Sequence, residues 1–72
     1  MKRLRQERLR RGWSLQKLGE KAGMQGSDIS KVERGIVMPY PSQRRRLAKA
    51  IGCAPDELLE EVSDVEPAVS AH

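Results

Sequence analysis

The chain has 72 residues, of which 38% are hydrophobic and only Trp13 and Tyr40 are aromatic, enough for one small domain with a modest core. Its longest apolar run, Ile36-Val37-Met38, excludes a membrane span of about 20 residues, and the lone Cys53 excludes a disulfide scaffold and fits a reducing cytoplasm. All 14 basic residues lie between Lys2 and Lys49 against four acids, a net +10 for residues 1–52, while six acids give residues 53–72 a net −6; a body this basic draws polyanions.

The first element is Arg-rich, MKRLRQERLRR, but lacks the Ser enrichment of a transit peptide and carries no secretion signal. It reads as a first helix, closed by Gly12. Ser14 suits the N-cap of a second helix, with Leu15, Leu18 and Ala22 on one face and Gly23 as the left-handed residue that ends it. A third helix follows, with Ile29 and Val32 on one face and Gly35 as its stop. Residues 36–41 contain two prolines and read as a loop. Pro41 suits the first turn of a fourth helix, whose stripe is Leu47, Ala48 and Ile51 and whose stop is Gly52. Pro55, Asp56 and Glu57 suit the first turn of a fifth, although its N-cap position, Ala54, is a poor capper. Leu58, Leu59, Val62 and Val65 supply its apolar side, and Pro67 ends it. Because Leu58, Val62 and Val65 fall at i, i+4 and i+7, Leu58 and Leu59 are expected to dock on the core, and Val62 and Val65 either to contact a second subunit or to belong to a frayed tail. The expectation is an all-α domain of five short helices over residues 1–62, with an acidic, flexible tail over residues 63–72.

Residues 15–34 carry the strongest signal. Two helices joined by a tight turn need a small residue where the backbones meet, which Gly19 provides, and a positive φ in the turn, which Gly23 provides. Leu18, Ala22, Met24, Ile29 and Val32 are placed to form the shared core. This is the helix-turn-helix arrangement, in which the second helix is presented to a DNA major groove.

With Gly12-Trp13-Ser14, Leu18-Gly19-Glu20-Lys21-Ala22-Gly23, Ile29-Ser30-Lys31-Val32-Glu33-Arg34-Gly35, Pro39, Leu47-Ala48-Lys49-Ala50-Ile51-Gly52 and Asp56-Glu57-Leu58-Leu59, the chain resembles the lambda-repressor-like helix-turn-helix family of phage repressors, Cro proteins and small bacterial regulators. The resemblance runs without a gap from about Leu4 to Leu59. It implies a DNA-binding domain in which Gln25 to Arg34 is the recognition helix and Gln25, Gly26, Ser27, Asp28 and Lys31 face the bases. Lys31 is suited to donate to guanine and Asp28 to accept from cytosine. Asp28 equally suits a helix start, and Lys31 a solvated face paired with Asp28. Ser14, Gln16, Lys17, Tyr40, Ser42, Gln43 and Arg45 are implied phosphate contacts, Ser14 doubling as a cap. Arg8 and Glu33 are implied as an ion pair that orients the recognition helix or simply holds the fold.

The chain departs from the family at Leu15, where Gln is common, at Gly26, which has no side chain to read with, and at Arg44, where an aliphatic residue is usual and whose stem is expected to pack while its head reaches solvent. No catalytic set can be assembled, no metal or cofactor site is visible, and Cys53 reads as a small buried thiol. The leading expectation is a cytoplasmic, bacterial or phage-encoded transcription regulator that binds double-stranded DNA as a homodimer. The competing readings are a protein-interaction module on the same fold and a non-specific nucleic-acid binder.

Overall fold

The computed structural model describes residues 1–62, which fold into four α-helices. They are α1 (Arg3–Arg10), α2 (Leu15–Ala22), α3 (Gly26–Glu33) and α4 (Pro41–Ile51), followed by a single 3₁₀ turn at Pro55–Glu57. Among the described residues there is no strand, only one isolated bridge between Lys2 and Glu61. No helix is long and apolar enough to cross a membrane among the described residues.

Ser14 caps α2, its Oγ accepting from the Lys17 amide at 3.0 Å. Gly23 ends that helix at φ +71°, a conformation that costs a residue with a Cβ about 1–2 kcal/mol. α3 has Gln25 and Arg34 as its half-in flanking residues. Pro41 opens α4, and the Gln43 side-chain oxygen accepts from the Tyr40 amide at 2.9 Å. Ala54 has no capping side chain, but its own amide is satisfied by the Glu57 carboxylate, which accepts from it at 3.1 Å.

Leu4, Leu18, Ala22, Ile29, Val32, Leu47, Ala48, Ile51 and Leu58 form one buried core, with Trp13, Leu15, Met24, Ala50, Cys53 and Leu59 packed around it. Burying each large aliphatic side chain contributes roughly 1.5–3 kcal/mol relative to exposure. Burial also pushes the Cys53 thiol above its usual pKa. Arg44 is half-buried, with its Nη2 directed to the Met38 sulfur at 3.7 Å.

The fifth segment corrects the sequence expectation: it makes a 3₁₀ turn, not an α-helix. After Leu58 the chain returns beside its own start. The amides of Arg3 and Leu4 donate to the carbonyls of Glu60 and Leu58 at 2.8 and 2.9 Å, and the Val62 amide donates to the Met1 carbonyl at 2.8 Å. α1 has no capping side chain at Lys2, so the returning strand of chain satisfies amide donors that a helix start leaves open. Lys2 Nζ also meets Glu61 at 2.7 Å, and that hydrogen bond holds the Glu61 carboxyl below its usual range. These pairings outweigh the helical periodicity read in Leu58 and Val62, so the two do not share a helix face. Val65 and the acidic tail lie outside the described residues.

Candidate nucleic-acid interface

The surface built around α3 depends first on how α2 passes into it. The Gly23 and Met24 amides both donate to the Gly19 carbonyl, closing the turn. A Cβ on Gly19 would collide with the Met24 carbonyl oxygen and lie 3.4 Å from the Gly26 nitrogen. A Cβ on Gly26 would lie 3.3–3.4 Å from backbone and Cβ atoms of Leu15 and Gln16. Gly26 therefore sits where the start of α3 crosses close to the start of α2.

The far end of α3 is fixed by charge. Arg8 Nε and Nη2 donate to the two carboxylate oxygens of Glu33 at 2.7 and 3.0 Å, and Arg8 Nη1 donates to the Trp13 carbonyl at 2.8 Å. Both residues are buried, so α1, the α1–α2 loop and α3 are joined through one guanidinium. Glu7 forms a second cluster. It meets Arg11 at 2.8 Å, Arg3 at 3.4 Å and Arg10 at 3.6 Å. The Arg11 hydrogen bond holds the Glu7 carboxyl below its usual range against the opposing effect of burial. Arg11 also donates to the Ile51 carbonyl, tying α1 to the end of α4. Two cations lie over the Trp13 ring, the Arg11 guanidinium 5.6 Å and the Lys21 ammonium 5.0 Å from its centroid.

The structure gathers the candidate contact residues into two depressions along α3. Gln16, Gln25, Gly26 and Ser27 line one of about 840 Å³ between α2 and α3. Asp28, Lys31, Tyr40 and Gln43 line another of about 290 Å³, shared with the α3–α4 loop. Ser14, Lys17, Ser42 and Arg45 line neither, but all four are exposed at the starts of α2 and α4. Asp28 and Lys31 form no ion pair with each other or with any other described residue.

A family model described as a helix-turn-helix domain matches residues 2–62. The chain belongs to the helix-turn-helix family. No curated protein and no solved structure matches it significantly. Membership points to DNA binding and transcription regulation. One part of the helix-turn-helix surface, Ile36-Val37-Met38, is marked in the sequence only as a loop. It stands out in the structure because Ile36 and Met38 are 60% and 70% exposed. The apolar run was the available signal, but its exposure depends on the neighbouring helices.

Proposed function

We propose that the chain is a sequence-specific transcription regulator of the lambda-repressor-like type, acting in the cytoplasm of a bacterial or phage-infected cell and working as a repressor. α3 enters the major groove, with Ser27, Asp28 and Lys31 reading bases and Gln25 and Gly26 at its approach. Ser14, Gln16, Lys17, Tyr40, Ser42, Gln43 and Arg45 hold phosphates. Two of these keep a donor free while capping: Ser14 still has its hydroxyl proton, and Gln43 its amide NH₂. An eight-residue helix is only about 12 Å long, which suits one half-site, and a homodimer on a two-fold operator supplies the second.

The observation that carries this reading is where the ion pairs fall. Among the described residues every ion pair uses a cation of the chain start, of α1 or of Arg11 just after it; Lys17, Lys31 and Arg45 make none. These exposed cations of α2, α3 and α4 therefore remain available to a polyanion, and phosphate contacts by such residues position a protein without specifying sequence.

The test separates reading from positioning. Lys31→Ala is expected to weaken operator binding by roughly 1–3 kcal/mol and random-DNA binding much less. Arg45→Ala should weaken both alike and lower the salt slope by about one unit. Equal losses for Lys31→Ala on both DNAs would remove Lys31 from base reading. A parent chain that binds operator and random DNA alike at every salt concentration would be a non-specific binder.

A further inference from the structure

The nine residues Gly35–Gln43 carry no charge, in a chain that is 33% charged. Within them Val37, Met38 and Tyr40 are 44%, 70% and 72% exposed. A soluble domain gains nothing from a cluster of exposed large apolar side chains, and such clusters mark contact surfaces. This cluster does not stand apart from α3. Val37, Met38 and Tyr40 line the same depression as Asp28 and Lys31. Met38 also reaches α4, its sulfur accepting from Arg44 Nη2 at 3.7 Å.

The chemistry of that depression is mixed, with one cation, one carboxylate and an apolar rim. A phosphate backbone asks only for the cation. The edges of base pairs in the major groove ask for all three, because thymine adds a C5-methyl to the donors and acceptors of the other bases. We infer that Met38, supported by Val37, is a specificity-determining residue that contacts the C5-methyl of a thymine next to the base read by Lys31. This rests on the proposed DNA-reading role of α3 and adds a second, apolar mode of readout from outside the recognition helix. The flexible thioether suits the task, since it can follow a methyl group without a fixed rotamer.

The test uses the full chain and a binding site selected from random duplexes. Each thymine in that site is replaced in turn by deoxyuracil, which removes only the methyl group. The parent is expected to lose about fourfold in affinity at one thymine per half-site, the scale of one buried methyl. Met38→Ala should bind the thymine site more weakly and show no further loss with deoxyuracil at that position. Because Met38 is exposed, the variant is expected to melt like the parent. An equal deoxyuracil penalty in parent and Met38→Ala would overturn the assignment, as would a selected site in which no thymine matters. If Met38→Ala instead lowered the sedimenting mass of the free chain, the patch would belong to a second copy and the assignment would fail. Failure to select any preferred site would sink the reading role of α3 itself, and this inference with it.

Discussion

The two ends of α3 are held by different physics. At its N-terminal end, backbone meets backbone: a Cβ on Gly19 would collide with the Met24 carbonyl, and one on Gly26 would sit tightly against the Leu15–Gln16 peptide. At its C-terminal end, a buried guanidinium grips a buried carboxylate through two hydrogen bonds. A steric contact tolerates removal and resists addition. A buried ion pair resists removal of either partner but tolerates joint replacement by apolar groups. The helix expected to read DNA is thus fixed at both ends, and each end can be broken separately.

The largest effect is expected at the charged end. Glu33→Ala leaves Arg8 buried without its carboxylate, and such uncompensated charges typically cost about 3–5 kcal/mol. For a domain of this size that approaches the whole stability. Joint replacement by Arg8→Met and Glu33→Leu should recover most of the loss, less what the Trp13 carbonyl forfeits when Arg8 Nη1 is gone. Urea unfolding of the three variants checks this. A Glu33→Ala chain as stable as the parent would show that the pair is not what holds α1 to α3.

A smaller loss is expected from Gly19→Ala. The added methyl meets a backbone carbonyl that is part of the turn, so a side-chain rotation cannot relieve it. Overpacking of this kind costs about 1–3 kcal/mol, offset by the roughly 0.5–1 kcal/mol that alanine gains over glycine within a helix. A net loss on the order of 1–2 kcal/mol should appear in thermal unfolding. Unchanged or higher stability would mean that the turn can move, and that the N-terminal end is softer than its geometry implies.

Much of this arrangement is legible in the sequence because it rests on local rules. Ser14, Gly23, Pro41 and Gly52 punctuate helices at the places their backbone preferences predict, and Leu18, Ile29, Val32, Leu47 and Ile51 lie on the buried faces that helical spacing assigns. The segment after Pro55 was not legible. Its helical spacing is real, but the open amides at the start of α1 compete for its carbonyls, and that competition joins residues nearly sixty positions apart. The same limit applies around α3. The loop Ile36-Val37-Met38 shows its apolar run in sequence, but not that it shares a depression with Lys31. The absence of a side chain at Gly26 reads as lost recognition until the close crossing with Leu15 and Gln16 is seen.

The smallest effect is expected from Gly26→Ala, and it is the sharpest test of the comparison. The new Cβ would lie 3.3–3.4 Å from Leu15 and Gln16, tight but short of collision, so a shift of a few tenths of an ångström relieves it. Alanine's advantage over glycine offsets part of the strain, and the net change in stability should stay below about 1 kcal/mol. Gly26 is itself the first residue of α3, so the shift displaces the start of α3 relative to the start of α2. Such a displacement hardly affects the core but shifts Ser27 and Asp28 against anything they touch. Operator affinity is therefore expected to fall more than random-DNA affinity, while the melting temperature stays close to the parent's. If both affinities match the parent, the close crossing at Gly26 does not set the position of the reading face, and the charged end alone fixes it.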